Sequence, residues 1–165
     1  MEWNHLSPRA LTENPFSLIG DRWMLITAGS REKHNCMTAS WGGVGVLWGK
    51  EVAFIFVRPT RFTYGLLEEN DRFSLTFYEE SFRPQLQLCG RESGRDIDKA
   101  AACSFTPLFE GDTPYYAEAS LVLLCKKLYF SDLEPSHFLD PAIEKFYNAD
   151  YHRMYVAEIT DVLKK

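Results

Sequence analysis

Within Arg58-Pro-Thr-Arg-Phe-Thr63, two guanidinium groups and two hydroxyls fall where an apolar run ends and a helical pattern begins. A strand-to-helix junction leaves backbone N–H groups unpaired and presents the positive end of the helix dipole, so it favours an anion. Arg58 and Arg61 add charge-assisted hydrogen bonds, and Thr60 and Thr63 add hydroxyls. The chemistry is that of a phosphate site without a glycine-rich P-loop. A capped helix flanked by two solvated arginines fits the same residues.

A second stretch, Asn35-Cys-Met-Thr-Ala-Ser-Trp-Gly-Gly43, sets hydroxyl donors, small side chains and an indole along one strand edge. A flat polar ring system needs hydrogen bonds along its edge and small residues where it lies against backbone. The competing account is a barrel strand with Trp41 in the core and Thr38 and Ser40 satisfying neighbouring backbone. In a third stretch, Cys89-Gly-Arg-Glu-Ser-Gly-Arg-Asp-Ile-Asp-Lys99, a polar loop ends by capping a helix. Arg95 and Lys99 stand four apart, so both can face one ligand edge, or Asp96 and Lys99 can close ion pairs at the helix terminus. His152 sits among aromatic residues in Tyr151-His-Arg-Met-Tyr155 and is read either as a contact at the edge of a bound ring or as an ordinary hydrogen-bonded histidine. Glu158 is expected in a polar contact or a subunit interface.

Strands must position these groups. Trp23 to Thr27 is an apolar β-compatible run followed by a charged hairpin turn, Arg31 to His34. Val44 to Trp48 and Glu51 to Val57 follow, separated by Gly49-Lys50. Pro59 ends the latter run, Thr60 is placed to cap a helix, and Phe62, Leu66 and Leu67 share one face of the segment to Asn70. In Arg72 to Tyr78, Phe73, Leu75 and Phe77 alternate with polar residues, the period of a half-buried strand. Pro84 opens a short helix through Leu88, and Ile97 to Cys103 reads as another. Ser120 to Phe130 and Met154 to Thr160 are further strands, with a helical turn after Pro141 between them. Many closely spaced strands and few helices favour an antiparallel barrel, because parallel strands would need a helix at every crossover. No G-x-G-x-x-G or Walker sequence follows a strand, which disfavours the nucleotide folds built on those loops.

The 165 residues, 45% of them hydrophobic, suit one domain spanning residues 1–165. A formal charge of -5 argues against a protein that grips nucleic acid by neutralising its phosphates. Met1 to Gly20 lack a basic start and an unbroken apolar core, so no secretory signal is expected. No run approaches the ~18 apolar residues of a membrane span. Cys36, Cys89, Cys103 and Cys125 form no C-x-x-C pair, and His34 with Cys36 lacks a second ligand pair. We therefore expect no metal site and free thiols in a reducing cytoplasm, with Cys36 and Cys89 the two of most interest.

Taken in order, Asn35-x-Met-Thr-Ala-Ser-Trp-Gly, Arg58-Pro-x-Arg-x-Thr63, Ser93-Gly-Arg-Asp-x-Asp-Lys99 and Tyr151-His-x-Met-Tyr-x-x-Glu158 resemble the flavin reductase-like family, which has flavoredoxin among its members. The resemblance runs from about Trp23 to Ile159 and departs from the usual pattern at Ala157, where many relatives carry Gly. It implies a mainly β fold with flanking helices, a split β-barrel of Greek-key type, assembled as a homodimer with FMN near the interface. It also implies that Thr38, Ala39, Ser40 and Trp41 line the ring and ribityl chain and that Asn35 is a further cofactor-binding residue. Arg58, Pro59, Thr60, Arg61 and Thr63 would supply ring-side backbone and phosphate contacts, Lys99 would reach the cofactor, and His152 would touch the flavin edge or a nicotinamide. The expected activity passes electrons from NADH or NADPH through bound FMN to an acceptor, with no catalytic triad. A flavoredoxin-like carrier reduced by a partner protein and a non-redox flavin-binding module are the alternatives.

Overall fold

The alternating runs pair as antiparallel strands. A computed structural model describes residues 2–165. In chain order the strands are β1 (Asn4–Leu6), β2 (Met24–Gly29), β3 (His34–Ala39), β4 (Gly42–Leu47), β5 (Lys50–Val57), β6 (Arg72–Phe77), β7 (Pro107–Glu110), β8 (Thr113–Tyr116), β9 (Leu121–Asp132) and β10 (Arg153–Lys164). Helix α1 (Phe62–Glu69) joins β5 to β6, while α2 (Arg83–Arg91) and α3 (Lys99–Cys103) lie between β6 and β7. One sheet runs in the order β3-β2-β6-β9-β10-β5-β4, with β1 paired to β10, and β7 and β8 form a separate ribbon. Among the described residues, no helix is long and apolar enough to cross a membrane.

The two edges of this sheet are consecutive in the chain, since only Ser40 and Trp41 separate β3 from β4. The sheet therefore curls on itself, and the backbone crosses the seam where a ladder would otherwise close it. Gly42 makes the crossing at φ +145°, and a Cβ there would lie 2.7 Å from the Phe54 carbonyl oxygen of β5 and 3.3 Å from Met24 Cε of β2. Only glycine suits that conformation and that space. The β4–β5 hairpin turns through Trp48 and Gly49 at φ 53° and 71°, the two positive angles of a type I′ turn.

Alternation then sorts the core into two parts. Met24, Ile26 and Ala28 of β2 point into the barrel with Ile55, Leu75, Leu123 and Tyr155. Leu25 points the other way, into a second cluster with Cys36, Leu86, Cys89, Phe105 and Tyr116, where α2, α3 and β8 cover the sheet. Covered on both faces, β2 is apolar almost throughout. The outer face of β6 is polar yet buried, so its hydroxyls need partners: Ser74 Oγ donates to the Pro114 carbonyl at 2.6 Å, and Thr76 and Tyr78 share a 2.9 Å bond. In the second cluster Phe105 stacks on Tyr78 and Tyr116 at 5.3 and 5.1 Å.

Several expected boundaries move. Helix α1 begins at Phe62 with Arg61 in the capping position and no side-chain cap, so Thr60 does not act as its cap. Helix α3 begins at Lys99, later than Ile97, because the Asp98 carboxylate accepts from Ala101 N at 3.0 Å and fixes the start there. Helix α2 continues beyond Leu88 to Arg91, and β9 and β10 extend to Asp132 and Lys164. The short β1, a π-helical turn at Phe16–Asp21 and the β7–β8 ribbon are additions to the sequence reading.

Candidate functional site

The end of β3, the start of α1 and the end of α2 enclose a cleft with three compartments that share walls. One compartment, about 190 Å³ and called the ring side because residues expected to meet a flat ring line it, holds Thr38, Ala39, Ser40, Trp41, Phe56, Arg58, Arg61 and His152 among others. A neighbouring compartment of about 400 Å³ shares Thr38 and Ser40 and adds Trp23, Leu86, Gly90 and Arg91. A basic compartment of about 190 Å³ shares Arg61 and Arg91 and adds Thr60, Thr63, Ser93, Arg95 and Lys99.

Local packing sets these walls. Helix α2 lies close on β3 because Gly90 has no side chain: a Cβ there would meet Thr38 Cβ at 3.3 Å. Thr38 Oγ1 in turn donates to the Leu86 carbonyl of α2. Arg61 spans the gap, donating through its two terminal nitrogens to Gly90 O at 3.0 Å and Cys89 O at 3.4 Å. Burial, then the neighbouring Arg58, hold its pKa below the usual guanidinium value, so Arg61 is a cation lacking compensation. Among the described residues, Arg61, Arg95 and Lys99 make no ion pair, while Arg91 pairs with Glu92 at 3.1 Å. Three unpaired cations around one small cavity favour an anionic occupant.

The expected residues separate into groups. Thr60, Arg61, Thr63 and Lys99 line the basic compartment, whereas Arg58 lines the ring side. Arg58 is held there by Asp150 at 2.7 Å and by the Phe146 carbonyl at 2.9 Å, with its guanidinium 5.0 Å from the Tyr147 ring centre. The arginines grouped as a pair in the sequence therefore meet at the ring-side compartment, and only Arg61 also reaches the basic one. Pro59 lines none of the three. Thr63 is buried, and its Oγ1 accepts from Asn35 Nδ2 at 2.9 Å, so these two residues brace β3 against α1. Asn35 faces a different cavity of about 430 Å³ that also touches Lys99, Arg95 and Phe62. Lys99 is buried and donates to the carbonyls of Cys36 at 2.8 Å and Cys89 at 2.7 Å. Burial lowers its pKa. Arg95 donates to Thr60 O at 3.2 Å and lies against Phe62, so the pairing of Arg95 with Lys99 across one cavity edge is present.

At the ring end, Trp41 is 45% exposed, which overturns its alternative placement in the core. It meets Phe146 and His152 edge-on, each at 5.4 Å between ring centres. His152 is 7% exposed and shares a 2.6 Å hydrogen bond between Nδ1 and Tyr147 Oη. Burial first, and then Arg58, push its pKa down to about 4, so the imidazole is neutral at pH 7. Phe146 and Tyr147 belong to the connection between β9 and β10, which Arg58 ties down through Asp150. Glu158 meets Lys50 at 3.3 Å. Sequence reasoning did not single out Arg91, Trp23 or Phe56. Arg91 carried a signal, a cation in the same polar loop as Arg95, whereas the other two reach the cleft only through tertiary packing.

Comparison with known proteins gives this geometry a context. A family model described as flavin reductase like domain matches residues 16–164. Flavoredoxin from Methanosarcina acetivorans superposes with a TM-score of 0.69 at 22% identity, over 87% of this chain and 68% of that one. An FMN-binding domain of a flavin reductases-like enzyme from Shewanella baltica OS155 gives 0.72 at 16% identity, over 99% and 77%. An NADH:FAD oxidoreductase from Streptomyces globisporus C-1027 gives 0.65 at 15% identity, over 87% and 75%. At such identities the likeness is one of fold, the split barrel with flanking helices. No curated protein sequence matches the chain. Because the family match covers nearly the whole of the chain, from the π-helical turn to the last strand, the protein belongs to the flavin reductase like domain family.

Proposed function

We propose that this protein holds FMN non-covalently in the cleft and passes electrons from NADH or NADPH to an acceptor. The observation that carries the reading is the basic compartment, where Arg61, Arg95 and Lys99 make no ion pair and the lining acid, Glu92, is paired with Arg91. It fits a terminal phosphate, and the adjoining compartments offer hydroxyls from Thr38 and Ser40 and aromatic walls from Trp41 and Trp23. When bound, the flavin ring supplies hydride acceptance and electron release, so the protein need supply no acid or base. Arg61 holds the charge of the phosphate and, through Gly90 and Cys89, fixes α2 beside it. The hydroxyls of Thr38 and Ser40 orient the ring edge. Neutral His152 and the Phe146–Tyr147 segment close the ring end and limit water there. A reducing cytoplasm suits the four free cysteines.

The purified protein should take up FMN, and its visible absorbance should bleach on anaerobic titration with NADH or NADPH. Bleaching by a partner reductase but by neither nicotinamide would overturn the reductase reading in favour of an electron carrier. FMN binding without reduction by either route would leave a binding module.

We also propose a homodimer with FMN near the interface. Val46, Trp48, Tyr129 and Phe130 are exposed, and Trp48 and Tyr129 lie 6.0 Å apart edge-on. An apolar surface of this kind suits an interface better than solvent. Light scattering should give the mass of two chains.

A further inference from the structure

Behind the cleft wall, three thiols with no part in the proposed electron transfer come together from β3, α2 and α3. Cys36 Sγ is 3.7 Å from Cys89 Sγ, and Cys89 Sγ is 3.6 Å from Cys103 Sγ. The fourth, Cys125, lies apart in the barrel interior. Lys99 sets its ammonium between the first two residues by donating to both their carbonyls. Contact with Cys89 holds the Cys36 thiol below its usual pKa against the cost of burial, with Tyr116 and Lys99 adding to the effect. The same contact and burial push Cys89 far up. The two shifts run in opposite directions, so Cys36 is the more acidic of two buried thiols whose sulfurs are already in contact. Cys36 itself is fully buried, while Asn35, Tyr116 and Lys99 beside it line the cavity of about 430 Å³.

We propose that Cys36 and Cys89 are a redox-active dithiol that hydrogen peroxide oxidises to a disulfide, and that closing this bond weakens the phosphate end of the flavin cleft. The Cys36 thiolate attacks one peroxide oxygen: an S–O bond forms, the O–O bond breaks, and the departing hydroxide takes up the proton Cys36 had released and leaves as water. Cys89 sulfur then attacks the sulfenic sulfur, the S–S bond forms, the S–O bond breaks, and the hydroxyl leaves as water with the Cys89 proton. Two thiols lose two electrons and two protons, and the peroxide becomes two waters. A small dithiol reverses the change by exchange. Since a disulfide needs about 2.05 Å between sulfurs, closure draws the pair together by roughly 1.7 Å from 3.7 Å. The Cys89 and Gly90 carbonyls that position Arg61 belong to the turn of α2 that must move. The effect on flavin rests on the FMN reading given above, whereas the disulfide does not.

The test treats the folded full-length chain with hydrogen peroxide, alkylates remaining thiols in denaturant and maps the peptides by mass. A Cys36–Cys89 linked peptide, lighter by two hydrogen atoms and lost on treatment with dithiothreitol, is expected. It should persist in Cys103→Ser and vanish in Cys89→Ser, with Cys36→Ser as the second variant should Cys89→Ser fail to fold. Alkylation of both Cys36 and Cys89 after peroxide would overturn the dithiol, and a Cys89–Cys103 link alone would overturn the assignment of Cys36. The FMN dissociation constant should rise about tenfold in the disulfide form and return on reduction. Unchanged affinity would overturn the coupling to the cleft. Absence of FMN binding by the reduced protein would overturn the flavin reading, while the peptide map judges the dithiol independently.

Discussion

Replacing Arg61 by alanine removes the one cation shared by the ring-side and basic compartments. A hydrogen bond to a charged group contributes about 1.5–3 kcal/mol, and each 1.4 kcal/mol is tenfold in affinity, so FMN binding should weaken about ten- to a hundredfold. The substitution also frees the Gly90 carbonyl from one donor, while Cys89 O keeps Lys99. That structural cost is about 1 kcal/mol and falls on any ligand of the cleft. Riboflavin separates the two effects, because it has the same ring and no phosphate. Quenching of flavin fluorescence, measured for both ligands at fixed ionic strength, should show riboflavin changing by no more than about fivefold. Arg61→Lys keeps the charge and should recover part of the FMN affinity. Equal losses for FMN and riboflavin would refute the phosphate assignment, as would an FMN affinity that does not change at all.

Between pH 6.5 and 5 the unfolded chain protonates His152 while the folded chain, with a pKa near 4, does not. Stability present above pH 6.5 is thus lost as the pH falls, by roughly 2 kcal/mol at pH 5. The carboxylates held low by their hydrogen bonds and ion pairs, Asp132 and Asp150, act only below this window. Urea unfolding at several pH values should show the slope, and His152→Asn should flatten it. Gly42→Ala forces a side chain onto the Phe54 carbonyl at a left-handed angle and should cost about 2 kcal/mol or more, read as a fall in Tm. Lys99→Met leaves the Cys36 and Cys89 carbonyls without their ammonium donor and should destabilise by about 1–3 kcal/mol, whether or not flavin is present. Trp48→Ser with Tyr129→Ser should shift the mass in light scattering from two chains to one.

The strand framework was legible wherever one face of a strand met the barrel and the pattern alternated, as in Phe73, Leu75 and Phe77. Runs buried on both faces, such as β2, were legible by their apolar content. The seam was not, because its signal is one glycine whose neighbours, Met24 and Phe54, come from opposite ends of the sheet order. The site shows the same division. The positive junction could be read from Arg61 and Thr63 alone, since helix ends and nearby charges act locally. The destinations of Arg58 and Lys99 depended on partners far along the chain, Asp150 92 residues away and Cys36 63 residues away. A cation's type marks it as a candidate for an anion, but its burial and partners decide which surface it serves. The three converging thiols were likewise invisible as a cluster, although Cys36 and Cys89 stood out as residues.

The most direct test of the central claim is equilibrium dialysis of the purified chain against FMN. Saturable uptake of one FMN per chain is expected, with weaker uptake of riboflavin. A chain that binds no FMN, or that retains riboflavin as tightly as FMN, would contradict it.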